Sequence, residues 1–398
     1  VPGRFLAEHG QVILLDKPFS FVKVGSIKPN RLQTMRSAKV LLAVAAFCGL
    51  NIAALAQIQL QPLWTLAPGE RPYLTTDNTQ RGMDYNPVTG HLLVANRAGG
   101  LSVAILDATT GADLGALNLG TGIIAGGTFT GNMLGVANDG AIYLGNLTLN
   151  STTTPFKLYR WANESATPTL AFEGDPSAGI ALGGNNSKRF GDTFDVRGAG
   201  TDTQVLLAAR GGGDAAVLVT GDGANFVGYG IATDAGASAS DNSSNIGLGV
   251  AFGEGNTFWG TALGRSLRHI GVDVGVSPFA GTTVGNFTDA EGVPLNVTLI
   301  GVDTSLGLLA GVELVTGPDK VHLFDISSGT PVLLDTETLT VDNANLNGVG
   351  AVAFGGDKLF VLDCNNGVHA YQLVPEPSTY VLIGLGVGAL WLVRQRKR

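Results

Sequence analysis

Short apolar runs alternate with polar turn clusters along most of this chain. Gly, Asn, Asp, Ser and Thr fill the clusters, and no long segment carries an apolar period of 3.6 residues. That pattern predicts an all-β chain. Strands are expected at 92–96, 102–106, 136–137, 141–144, 156–161, 204–209, 249–252, 257–259, 306–310 and 358–362. Residues 107–111 close the 92–106 pair with turn chemistry: Asp107 to cap its own backbone and Gly111 to take a positive φ.

The strands recur as a unit. Residues 103–111 (VAILDATTG) match 321–329 (VHLFDISSG) nearly position for position, and each is followed by an apolar run, 114–117 and 332–334. A self-similar unit of about 40–55 residues with three or four strands predicts a β-propeller. The first unit, 92–117, resembles the YVTN-type propeller repeat, in which a strand ending in Asn (here Asn96) precedes a V-x-V-x-D-x-x-T-G hairpin. That resemblance implies a fold and no particular activity. Units are expected at 81–122, 123–187, 188–244, 245–294, 295–345 and 346–373. The last shows three strands, 350–354, 358–362 and 368–373, so residues 63–66 are expected to add the fourth and close the ring, leaving no free edge. Six blades is the expected count, with seven the alternative. A β-helix and a pair of sandwiches are the competing architectures.

The two ends of the chain differ from this pattern. Residues 374–379 read Val374, Pro375, Glu376, Pro377, Ser378 and Thr379, followed by an apolar run at 380–393 and a terminal cluster of Arg394, Arg396, Lys397 and Arg398. The two prolines are expected to form an extended hinge rather than a helix or strand. The apolar run would give only about 21 Å of helix against a hydrocarbon core of about 30 Å. Gly384, Gly386 and Gly388 weaken it further, which suits a temporary membrane anchor, with the terminal cations held at the cytoplasmic side. This tail resembles the PEP-CTERM sorting signal. The resemblance implies processing by an exosortase-type membrane protease in Gram-negative bacteria that make exopolysaccharide.

The N-terminal region agrees with export. Residues 35–39 form a basic segment, 40–55 an apolar one, and Ala54 and Ala56 before Gln57 make an A-x-A cleavage site for signal peptidase. Residues 35–56 therefore read as a secretory signal peptide. Residues 1–34, which begin with Val, read as an upstream extension absent from the native protein. Cys48 follows Phe47, where a lipidation signal needs a small residue, so lipidation is not expected. The exported domain is 57–373 and the sorting signal 374–398.

Charge separates along the same lines. The chain carries −8; the first 56 residues hold seven Lys/Arg against two Asp/Glu, and the last 25 hold four against one, which leaves −16 on residues 57–373. An acidic surface disfavours nucleic acid as a partner. Cys364 is the one cysteine of the exported domain, so no internal disulfide is expected.

Candidate chemistry is sparse. His91, His269, His322 and His369 lack metal-ligand spacing, and no nucleophile elbow or phosphate-binding loop is present. Residues 210–214 (RGGGD) read as a turn. The polar loop 234–245, with Asp234, Asp241 and Asn245, together with Asp222 offers oxygen ligands for Ca²⁺ but matches no calcium-loop pattern; a plain surface loop is the simpler reading. Trp161, Trp259, Tyr143 and Tyr159 fall among Asn and Asp residues, as in sugar-binding faces, although blade core is the commoner role of strand aromatics. No catalytic constellation is visible and no cofactor is implied. The sequence thus describes an exosortase-sorted surface or extracellular-matrix protein. It is expected to act as a structural or binding propeller, with exopolysaccharide or another surface protein as partner. The alternative is an extracellular propeller enzyme acting on glycans or lactones, which would need polar groups converging at the central channel.

Overall fold

The computed structural model describes residues 57–180, 188–211, 214–233 and 245–375. Residues 1–56 lie outside them, with the expected extension, signal peptide, Ala54 and Ala56. So do the expected membrane segment, Glu376, Pro377, Arg394, Arg396, Lys397 and Arg398, and Asp234 and Asp241 of the polar loop.

Apart from two 3-10 turns, the described elements are strands. Strands β1 (Ile58–Leu66), β2 (Gln80–Asn86), β3 (His91–Asn96), β4 (Ser102–Asp107) and β5 (Asp113–Ala116) come first, then β6 (Phe129–Val136), β7 (Ile142–Leu147), β8 (Phe156–Trp161) and β9 (Thr169–Gly174). Next are β10 (Phe194–Arg197), β11 (Gln204–Ala208), β12 (Ala215–Thr220) and β13 (Phe226–Thr233), then β14 (Gly249–Phe252), β15 (Thr257–Thr261), β16 (Leu267–Asp273) and β17 (Phe279–Phe287). The chain closes with β18 (Val297–Asp303), β19 (Leu308–Glu313), β20 (Lys320–Asp325), β21 (Val332–Thr338), β22 (Gly350–Gly355), β23 (Lys358–Asp363) and β24 (Gly367–Pro375).

These strands form four four-stranded sheets and one of eight, in a propeller-like arrangement. The eight-stranded sheet consists of two antiparallel meanders, β10–β13 and β14–β17, joined where the outer strands β13 and β17 pair in parallel at Ile231–Phe279 and the next two positions. As expected, the N-terminal strand completes the last sheet: β1 pairs with β24 from Ile58 opposite Pro375 to Leu66 opposite Val368. Pairing differs from expectation at the sorting motif. Val374 and Pro375 continue β24 instead of forming a hinge. A proline is tolerated there because it falls at the strand's last residue, where the ladder ends.

The first strands of the meanders, β2, β6, β10, β14, β18 and β22, neighbour one another in cyclic order. Apolar clusters fill each seam between consecutive meanders. One joins Leu93, Val103 and Ile105 to Leu134, Ile142 and Trp161, and the last joins Phe360, Leu362 and Val368 to Met83, Leu92 and Val94. Glycine makes the innermost seams this tight. A Cβ on Gly82 would lie 2.4 Å from the backbone nitrogen of Leu134 on β6, and one on Gly301 would lie 2.5 Å from the Val352 carbonyl oxygen on β22. No larger residue fits either place without moving backbone.

The repeated turn has the expected chemistry at both ends of the chain. Asp107 Oδ1 accepts the backbone N–H groups of Thr109 and Thr110, and Gly111 sits at φ +70°. Asp325 Oδ1 accepts that of Ser327, and Gly329 sits at φ +80°. The described residues contain no helix long and apolar enough to cross a membrane.

Candidate central cavity

The ring of first strands encloses a cavity of about 510 Å³. Its wall comes from β2, β6, β10, β14, β18 and β22, and it extends to hairpin turns at Pro87, Asn138, Gly255, Ser305 and Gly356. Most of the wall is apolar or glycine. Asp84, Asp195, Glu254 and Asp303 interrupt it with carboxylates, and Arg197 with a guanidinium.

Asp84 on β2 and Asp195 on β10 are both half-buried and face the cavity. They sit alike. Asp84 Oδ2 accepts the Val136 N–H of the neighbouring first strand at 2.6 Å, and its Oδ1 accepts the N–H of Tyr85 at 2.8 Å. Asp195 Oδ2 accepts the Phe252 N–H of β14 at 2.7 Å, and its Oδ1 accepts that of Val196 at 2.8 Å. Each carboxylate therefore ties one first strand to the next. Burial pushes the Asp84 carboxyl up to about 8, helped by the negative charge of Asp195 and opposed by the two N–H donors. Asp195 rises to about 6 by burial, opposed by its N–H donors and by Arg197. Desolvation outweighs the hydrogen bonds in both cases. Both carboxyls are thus held above the ordinary aspartate range on the cavity wall.

Arg197 marks the mouth. Its guanidinium stacks 4.1 Å from the centre of the Phe252 ring and donates to the Gly255 carbonyl at 2.8 Å and to Gln204 Oε1 at 2.9 Å. Asp303, also on the wall, is occupied by its own turn, accepting from Ser305 and Leu306. No group of three or more His, Cys, Asp or Glu suited to a metal ion is present among the described residues.

The residues singled out in the sequence lie elsewhere. The aromatic set is core and not a sugar-binding face: Trp161, Trp259, Tyr143 and Tyr159 are at most 2% exposed. Trp161 donates its indole N–H to the Asn118 carbonyl at 2.7 Å, and Tyr159 its hydroxyl to that of Ala125 at 2.7 Å, so their polar atoms are satisfied internally. His91 pairs with Glu164 at 2.7 Å, His322 lies between Glu313 and Thr336, and His269 stacks on Trp259. His369 is buried in β24, which lowers its pKa. Cys364 is a buried free thiol, pushed well above the ordinary range by burial. Asp222 caps the β12–β13 turn, accepting from Ala224 and Asn225. Gln57, after the expected cleavage site, donates its side-chain amide to the Leu334 carbonyl.

Sequence reasoning missed Asp84 and Asp195. One signal was available: each is a lone acidic residue between large apolar neighbours in a short run, Met83-Asp84-Tyr85 and Phe194-Asp195-Val196.

The fold and cavity define an all-β, propeller-like protein with acidic residues on the wall of its central cavity. Known families add two matches. The PEP-CTERM protein-sorting motif matches residues 373–397, and the domain of unknown function DUF4623 matches residues 76–213. The chain thus carries a PEP-CTERM sorting motif, which implies exosortase processing, export and sorting to the cell surface. A search of curated proteins finds no match. Among solved structures, a DUF4623 family protein from Bacteroides eggerthii is 14% identical, with 75% of this chain and 72% of that one covered at a TM-score of 0.49. The PQQ-bound aldose sugar dehydrogenase of Streptomyces coelicolor is 15% identical, covering 80% and 99% at 0.45. The gluconolactonase XC5397 of Xanthomonas campestris is 14% identical, covering 81% and 93% at 0.47. Similarity this distant transfers no activity to this chain.

Proposed function

We propose that this protein is a six-bladed propeller placed at the cell surface or in the extracellular matrix, where it acts by binding or as a structural element, with exopolysaccharide as its partner. The count of six treats β10–β13 and β14–β17 as two blades whose outer strands happen to pair. Six apolar seams between consecutive four-stranded units support that count. Export would begin with removal of residues 35–56 by signal peptidase. A transient membrane stop of the 380–393 run would then present the tail to the exosortase.

One observation carries the reading. The sorting motif match begins at residue 373, inside β24, which runs to Pro375 and is paired along its length with β1. The signal therefore begins within the domain's closing strand, so the propeller would go to whatever surface the signal addresses.

Two carboxyls with raised pKa on the cavity wall favour a second reading, an extracellular enzyme acting on glycans or lactones. Glycan hydrolysis is carried out by a pair of carboxyls whose environments set their pKa values apart. One experiment separates the two. The full chain is incubated with purified host exopolysaccharide, and bound polymer and new reducing ends are both measured. Binding without new ends supports the first reading. New ends that vanish in Asp84→Asn support the second, and neither binding nor cleavage removes the polysaccharide from both.

A further inference from the structure

The two meanders that share the eight-stranded sheet do not fill the space between them. Their outer strands pair at three positions, from Ile231 opposite Phe279 to Thr233 opposite Gly281. Toward the end of the ring that carries the Gly255 turn, residues 226–230 of β13 pair with β12 alone among the described strands. There the two meanders part, and a second pocket of about 240 Å³ opens between them. Leu206, Val217 and Val219 form one side of it, and Phe258, Val272 and Phe279 the other. Val219, Val272 and Phe279 stay half-buried, packed on the core of this seam without being covered by it. Taking that apolar surface out of water would favour an apolar ligand.

One charged residue lines this pocket. Arg197 ends β10 opposite Gln204, at the rim, and the Phe252 ring 4.1 Å away fixes the plane of its guanidinium. Nε donates to Gln204, and Nη1 to the carbonyls of Gly253 at 3.3 Å and Gly255 at 2.8 Å. Nη2 has no partner among the described residues, and the guanidinium has no ion pair among them. Asp195, two positions back, is engaged elsewhere, with one oxygen on the Val196 N–H and the other on that of Phe252. A half-buried cation with a spare donor at the rim of an apolar pocket suits a carboxylate. A cavity of about 150 Å³ holds a benzene ring. This one is large enough for a ring with a short arm, and Phe252, Phe258 and Phe279 give that ring aromatic neighbours.

We propose that this pocket binds a monocyclic aromatic carboxylate, with the ring between the two meanders and the carboxylate accepting from Arg197 Nη2. The site goes beyond the polysaccharide reading and does not depend on it. It shares Arg197 and Phe252 with the wall of the central cavity and is otherwise built from different residues.

Titration calorimetry on the full chain tests this with phenylpropanoate and phenylpropanamide, which keeps the ring and removes the charge. The acid is expected to bind, and the amide to bind at least about tenfold more weakly. Arg197→Gln is expected to lose that preference for the acid. Val272→Trp, which fills the pocket from β16 and leaves Arg197 in place, is expected to abolish binding of both compounds, with the fold of each variant checked by its melting curve. Equal affinity for acid and amide in the wild type, or no binding of either, would overturn the site. So would an unchanged preference in a folded Arg197→Gln. Undiminished binding of the acid by a folded Val272→Trp would place the ligand in the central cavity instead and overturn it as well.

Discussion

Asp195 on β10 reaches across to the next first strand and accepts the backbone N–H of Phe252 at 2.7 Å, the same act that Asp84 performs toward Val136 two seams earlier in the ring. Both carboxyls have folded pKa values above the unfolded one, so the folded state holds their protons more tightly. Their contribution to stability is therefore complete below about pH 4 and declines as pH rises through about 6 and 8. The melting temperature, followed between those limits, is expected to fall with rising pH more in the wild type than in Asp84→Asn. Parallel curves for the two proteins would mean that Asp84 ionises normally.

Gly301 meets the Val352 carbonyl at a distance no Cβ can share. Gly301→Ala should force β18 away from β22 and cost about 1–3 kcal/mol. Urea unfolding monitored by tryptophan fluorescence gives the number. A change of a few tenths would show that the seam is looser than its geometry implies.

Trp161 has no exposed surface and packs in the seam between the first two meanders. Trp161→Ala should cost about 3–5 kcal/mol, while the folded fraction keeps whatever affinity for polysaccharide the wild type has. Lost affinity with unchanged stability would return this residue to the sugar-binding role that its burial denies.

Much of the fold was legible because its information is local. Residues 103–111 and 321–329 announce the same third strand and turn, and the capping by Asp107 and Asp325 follows from the chemistry of a short carboxylate before a Gly. Even the closure by β1 could be read, since three strands in the last unit left one to be found. The cavity was not legible. Asp84 and Asp195 lie 111 positions apart in the sequence, and only closure of the ring brings them to one wall. Arg81 in β2, Arg189 before β10 and Arg210 after β11 likewise meet only in the fold, at Asp192. The aromatic set was legible as the blade core that strand aromatics commonly form, since in stacked blades both faces of a sheet are buried.

The claim that matters most is that this domain is exported and sorted. Intact mass and C-terminal peptide analysis of the protein from its host's envelope and medium tests it directly. The account predicts a chain that begins near Gln57 and lacks the apolar run and terminal cations of residues 380–398, recovered at the surface or in the matrix. A chain that keeps those residues and fractionates with the inner membrane would contradict it, and would make the tail a permanent anchor.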